Sequence, residues 1–78
     1  MSDQIKGINA FFALADRNEI DEVLSRVILT ERQYRIFDMK YIKGNDINFI
    51  ADTIGLSPYG VDKELKKIRA KIAKYLGI

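Results

Sequence analysis

Four lysines and one tyrosine recur near the end of the chain at a spacing that places them on one side of a helix. At about 100° per residue, the outward side of a helix over residues 58–76 holds Tyr59, Lys63, Lys66, Ala70 and Lys74, with Lys67 on its flank. The acids of this stretch, Asp62 and Glu64, lie to the sides. A row of ammonium groups can neutralise phosphates and release their counterions. We therefore expect this surface to bind a polyanion, with Tyr59 and Lys63 nearest the helix start.

The opposite side of the same stretch is apolar. Five side chains fall within about 40° of one direction, and we expect them to face the core: Val61, Leu65, Ile68, Ile72 and Tyr75. Because lysine-rich outer faces are usually just solvated, a small helical domain with a merely soluble basic face remains an alternative interpretation.

A shorter amphipathic helix and a tight turn precede this long helix. Asp46 is expected to cap the short helix, whose apolar positions follow helical spacing: Ile47, Ile50, Ala51 and Ile54. Gly55 can adopt the positive φ that the turn requires, and Leu56 is expected to fill the core beneath it. Ser57 and Pro58 have the residue types of a cap and a first helical position. Two helices joined in this way are the plan of a helix-turn-helix, whose second helix enters the major groove of DNA.

Three more helices are expected upstream. The first runs over Ser2–Ala15, is capped by Ser2 or Asp3, and has an apolar side made of Ile5, Ile8, Phe11, Phe12 and Ala15. The second is expected to start at an Asn18 cap, and its apolar side is Ile20, Val23, Leu24 and Val27. The third opens with a capping box of Thr30 and Gln33 and runs to about Ile42, before Gly44. It is expected to bury Ile36, Phe37 and part of Tyr41. The predicted fold is all-α, a small five-helix domain with a C-terminal helix-turn-helix and a long recognition helix.

Composition narrows the function classes. The 78 residues suffice for one domain, predicted over 1–78 with an N-terminal helical extension at 1–28 and the helix-turn-helix part at 29–78. The chain has neither cysteine nor histidine, which removes the usual zinc ligands and nucleophile–histidine pairs. We therefore expect that the chain is not an enzyme and that it binds no metal or cofactor. Without an evident signal peptide or membrane span, a cytoplasmic location and no membrane partner are expected.

Charge is divided unevenly along the chain. Residues 1–28 hold three Lys or Arg against five Asp or Glu, whereas residues 29–78 hold ten against six. This asymmetry indicates a polyanion-binding second half and a first half with another role.

The second half resembles region four of sigma factors. The residues that carry the resemblance are Leu29-Thr-Glu-Arg-Gln-Tyr-Arg-Ile-Phe37, Tyr41, Gly44, Ile50-Ala51, Gly55-Leu56, Val61 and Leu65. The extracytoplasmic-function group is most similar, and the output domain of LuxR-type response regulators is the second match. The resemblance extends without a gap from Leu29 to about Ile72 and implies that the last helix reads promoter DNA. It places five side chains at or near double-stranded DNA: Ser57, Tyr59, Lys63, Lys66 and Lys67.

The chain departs from the family at two positions of the last helix. Gly60 stands where the family usually has threonine, and Asp62 stands where it often has lysine or arginine. Glycine weakens a helix, and an acid near the groove repels phosphate. We therefore expect modest affinity per copy, and hence a homodimer or a protein partner.

Three phenylalanines are candidates for a protein interface: Phe11, Phe12 and Phe49. Phe49 lies opposite the apolar side of its helix, so it packs under the N-terminal helices, contacts a partner, or is simply exposed. Phe11 and Phe12 complete the small core or support self-association. A second hypothesis is therefore a protein-interaction adaptor that binds RNA polymerase or another transcription factor through the same fold.

Overall fold

The structure is a computed structural model that describes residues 2–77, with side chains from residue 7 onward. Within these residues the chain forms five α-helices and no strand, which confirms the predicted all-α class. The helices are α1 (Ser2–Leu14), α2 (Arg17–Arg26), α3 (Glu31–Phe37), α4 (Ile47–Ile54) and α5 (Pro58–Leu76). A π-helical turn, Asp38–Ile42, continues α3. None of the described helices combines the length and apolar character that crossing a membrane requires.

The chain forms two compact units. The first comprises Met1–Ile28 and Arg69–Ile78, of which the structure describes 2–28 and 69–77, and the second comprises Leu29–Ile68. Helix α5 therefore contributes its first part to the second unit and its last part to the first. The predicted boundaries of a single domain with an N-terminal extension stay a prediction.

The second unit has an aliphatic core around one phenylalanine. Its buried apolar side chains are Ile36, Phe37, Met39, Ile50, Ala51, Val61, Leu65 and Ile68. Polar caps define where its helices begin. Thr30 and Gln33 form the predicted capping box, with both hydrogen bonds at 3.1 Å. Asp46 accepts a hydrogen bond from the Phe49 N–H at 2.8 Å, as predicted for the cap of α4. Each cap satisfies N–H groups that the first turn of a helix leaves without intrahelical partners.

The π-helical turn ends the helical run that starts at Glu31. The N–H of Lys43 donates to the carbonyl of Asp38 at 3.0 Å, and the N–H of Asn45 donates to that of Met39 at 2.9 Å. Gly44 has a φ of 72°, the left-handed geometry that was predicted for the terminator. The helix was predicted to run to about Ile42, but its change from α to π hydrogen bonding was not.

The first unit buries the hydrophobic sides of three helices. Its buried apolar residues are Ile8, Ile20, Val23, Val27, Ile72 and Ala73. The predictions for Ser2, Asp3 and Ile5 fall on side chains outside the described residues.

Two predictions about the first unit are wrong. The cap of α2 is Asp16 rather than Asn18, because Asp16 forms a capping box with Glu19. Asn18 is one residue inside the helix. Tyr75 is 44% exposed, whereas Ala73, which was not predicted, is fully buried. The last turn of α5 therefore buries a small side chain in place of the tyrosine ring.

Candidate nucleic-acid interface

A tight turn joins α4 to α5. Gly55 has a φ of 85°, and its N–H and that of Leu56 both donate to the carbonyl of Ala51, at 2.9 and 3.0 Å. The left-handed residue ends α4 by satisfying a terminal carbonyl. Leu56 is half-buried directly after it. Three residues thus suffice to end one helix and begin the next.

Ser57 and Pro58 start α5 as the sequence predicted. The hydroxyl oxygen of Ser57 accepts a hydrogen bond from the Gly60 N–H at 3.0 Å, and its carbonyl accepts one from the Val61 N–H. Pro58 occupies the first helical position, where its missing N–H costs nothing. The start of α5 is therefore firmly defined, and Ser57 is exposed there.

Tyr59 and Lys63 form a pair on the outward side of α5. The tyrosine ring is 71% exposed, and the ammonium nitrogen of Lys63 lies 5.5 Å from the ring centre. Such a cation–π contact is worth about 0.5–1 kcal/mol at an exposed site, enough to favour one orientation of both side chains. The pair presents a hydroxyl and an ammonium group together in the first two turns of the helix.

Lys66 and Lys67 lie in the next turn and are each paired with an acid on the same helix. The Nζ atom of Lys66 lies 3.5 Å from Oδ2 of Asp62, and that of Lys67 lies 3.6 Å from Oε1 of Glu64. Their spacings, four and three residues, bring side chains into contact on any α-helix, so the sequence contained the signal for both pairs. These acids partly offset the positive charge of the face.

The five residues predicted to contact DNA all lie at the start or in the first three turns of α5, and all are exposed: Ser57, Tyr59, Lys63, Lys66 and Lys67. On the other side, Val61, Leu65 and Ile68 are buried, as predicted. The helix therefore presents one basic side to solvent. DNA contact by these five residues stays a prediction.

The three candidate phenylalanines lie in different surroundings. Phe11 and Phe12 meet edge to face, with ring centres 5.2 Å apart, and both are half-buried in the first unit. Phe49 belongs to the second unit and is 54% exposed, so it is not a core residue.

Phe49 lines a surface groove between α3, the π-helical turn and α4. The other lining residues are Arg35, Asp38, Met39, Lys43, Asn45 and Thr53. Lys43 bridges to Asp38 at 3.5 Å across the groove wall. The sequence singled out Phe49 but not this groove, because its walls come from three separate segments. An exposed aromatic ring beside the Met39 side chain suits an apolar group with polar surroundings.

Comparisons with known proteins give no match: no family model, curated protein or solved structure is significantly similar to this chain. Among the described side chains, residues 7–77, no three acidic groups cluster in a way that could hold a metal ion. The interface must therefore be interpreted from its own geometry.

Proposed function

We propose that this chain is a sequence-specific DNA-binding transcriptional regulator in which α4 and α5 act as a helix-turn-helix. In this proposal α5 enters the major groove with its outward side facing the bases. The observation that most strongly supports this proposal is the exposed Tyr59–Lys63 pair, which lies in the first two turns after the Ser57 cap. Residues at the start of a recognition helix are those that reach base edges in helix-turn-helix proteins.

The lysines of α5 have distinct roles in this proposal. Lys63 contacts a phosphate next to the base that Tyr59 reads, while Lys66 and Lys67 contact phosphates along the groove wall. Their ion pairs oppose this only weakly, because exposed pairs contribute only about 0–1 kcal/mol. The α5 N-terminus adds the positive end of its dipole close to the phosphate backbone.

The resemblance to sigma region four supports a role in transcription. By this resemblance, α5 corresponds to the helix with which that family reads promoter DNA. In our proposal residues 29–78 act as a region four-like DNA-binding domain, and the polymerase is a separate partner.

Selection of bound fragments from genomic DNA, followed by fluorescence anisotropy on the enriched duplex, tests the proposal. We expect an enriched sequence and a log–log salt dependence with a slope of about −2.7 for three phosphate contacts. Tyr59→Ala should weaken the enriched duplex more than a scrambled duplex, because it removes a base-reading group. Absence of binding at low salt, or equal binding to both duplexes, would overturn the proposal.

A second candidate function is favoured by the groove around Phe49. In this alternative the chain is an adaptor that binds RNA polymerase or another transcription factor. The 54% exposed ring would insert beside an apolar side chain of that partner, since aromatic residues often anchor interfaces.

Binding to purified RNA polymerase, measured with Phe49→Ala and Tyr59→Ala, separates the two functions. Loss of polymerase binding in Phe49→Ala alone would favour the adaptor, and loss of DNA binding in Tyr59→Ala alone would favour the regulator. Unchanged polymerase binding in Phe49→Ala would remove this groove as the docking site.

A further inference from the structure

The end of α2 and the end of α5 form a second groove, within the first unit. It is lined by Arg26, Val27, Ile28, Lys71, Lys74 and Tyr75. Three of these residues are cations and none is an acid. Ile28 is 87% exposed and Tyr75 is 44% exposed, so the groove offers apolar surface framed by positive charge.

One of these cations, Lys71, contacts the backbone at the edge of the groove. The ammonium group of Lys71 donates to the carbonyl of Ile28 at 2.9 Å, holding the backbone just beyond α2 in place. Within the described residues, neither Arg26 nor Lys74 forms an ion pair. These two side chains therefore supply the charge that an occupant would meet.

The matching surface lies at the other end of α2. Leu14 is 87% exposed where α1 ends, and the exposed Asp16 and Glu19 follow it. In their capping box each carboxylate is held by the backbone of the other residue: Asp16 accepts from the Glu19 N–H at 2.9 Å, and Glu19 accepts from the Asp16 N–H at 3.2 Å. In each case one oxygen is used, so the second remains able to accept from a cation. We call Leu14, Asp16 and Glu19 the acidic knob.

The knob and the groove of one chain cannot meet each other. They lie at opposite ends of α2, whose ten residues span about 15 Å. Their chemistry is nevertheless complementary, because one offers an aliphatic side chain with two carboxylates and the other offers apolar surface with two cations. A second copy of the chain meets both requirements, and a two-fold arrangement lets each knob enter the other groove and closes the assembly.

We propose that the chain forms a dimer in which the acidic knob of each copy occupies the basic groove of the other. This pairing covers Leu14 and Ile28, the two most exposed large aliphatic side chains of the described residues. A phosphate backbone would neutralise the cations but would leave the isoleucine uncovered. The proposal does not rest on DNA binding, since it is measured without DNA.

Analytical ultracentrifugation of the whole chain from about 1 µM to 1 mM tests this dimer. We expect the mass to rise with concentration from 9.0 kDa to twice that value. Leu14→Ser and Ile28→Ser should each raise the dissociation constant at least tenfold without unfolding the chain, because both side chains are almost fully exposed. Their effects should not add in the double variant, since both remove the same contact.

Three further measurements distinguish this specific dimer from nonspecific association. Glu19→Gln keeps the capping-box hydrogen bond but removes the charge, so it should weaken the dimer severalfold at low salt and little at high salt. Lys74→Glu should weaken it more strongly. Phe49→Ser, which removes an exposed apolar side chain from the other unit, should leave the dissociation constant unchanged. A single species of 9.0 kDa at every concentration, or a dimer indifferent to Leu14→Ser and Ile28→Ser, would refute the proposal.

Discussion

The ammonium group of Lys63 lies 5.5 Å from the centre of the Tyr59 ring, one turn along the outward side of α5. The contact holds a cation over an aromatic ring without using an acid. Among the lysines proposed to bind DNA, Lys63 is the one whose described partner is a ring, whereas Lys66 and Lys67 have carboxylate partners.

Replacing Lys63 should weaken DNA binding more than replacing another surface cation. In Lys63→Ala we expect about a tenfold loss of affinity at low salt and a salt slope smaller by about one, because one phosphate contact is lost. Fluorescence anisotropy over a range of salt concentrations measures both. Arg32→Ala, an exposed position on α3, lowers the net charge equally and should change affinity less than about twofold. Equal losses in the two variants would mean that only net charge matters.

Removing the acid beside Lys66 should strengthen DNA binding. Asp62→Asn abolishes the 3.5 Å ion pair and one negative charge near the phosphates, each interaction being about 1 kcal/mol in water. We expect roughly fivefold tighter binding at low salt, read from the same anisotropy titration. Asp21→Asn is the matched control, because it breaks the i,i+4 pair with Arg17 in α2. If Asp62→Asn binds no more tightly than Asp21→Asn, then Asp62 does not face the phosphates.

Alanine at position 60 should stabilise the fold. Gly60 lies in α5 without a positive φ, and an added Cβ would lie 3.5 Å from the Ser57 hydroxyl oxygen and 3.6 Å from the Leu56 Cβ, ordinary contact distances. Gly60→Ala should therefore raise the free energy of unfolding by about 0.5–1 kcal/mol, measured by urea denaturation. Gly55→Ala should lower it by about 1–2 kcal/mol, because alanine is strained at a φ of 85°. A gain in both variants would contradict the left-handed turn between α4 and α5.

Two threonines offer a test of the capping box. The Thr30 hydroxyl oxygen accepts the Gln33 N–H at the start of α3, so Thr30→Ala should cost about 1 kcal/mol. The Thr53 hydroxyl instead donates to the Phe49 carbonyl inside α4. That carbonyl already has a backbone partner within the helix. Thr53→Ala should be neutral or slightly stabilising, since alanine is the better helix former. Both values come from urea denaturation, and a larger cost at Thr53 would contradict this assignment.

The helix boundaries that the sequence predicted correctly depend on hydrogen bonds that span three or four residues. The caps at Thr30, Asp46 and Ser57 are of this kind, as is the turn at Gly55. The Asp16 cap is equally local, because Glu19 follows three residues later, but asparagine caps helices as well as aspartate does, so the sequence also favoured Asn18. Residue type alone does not decide between two cap-forming side chains so close together.

Burial at the end of α5 depended on information that the helical period lacks. Tyr75 lies on the apolar side by this period, whereas Ala73 lies about 120° from the Val61 direction. Only the surrounding helices determine that Ala73 is the one buried. The same reason explains which candidate sites the sequence could predict. The basic side of α5 follows from spacing within one helix, whereas the grooves at Phe49 and Ile28 combine side chains from separate segments.

The π-helical turn over Asp38–Ile42 determines where the chain tolerates changes in length. Compared with a continuous α-helix, such a turn holds one extra residue. A chain one residue shorter at this point would close the turn as ordinary α-helix, and it would keep both the Thr30 cap and the Gly44 terminator. Related sequences that differ by a single-residue insertion or deletion between α3 and α4 are therefore expected to place that difference within these five positions.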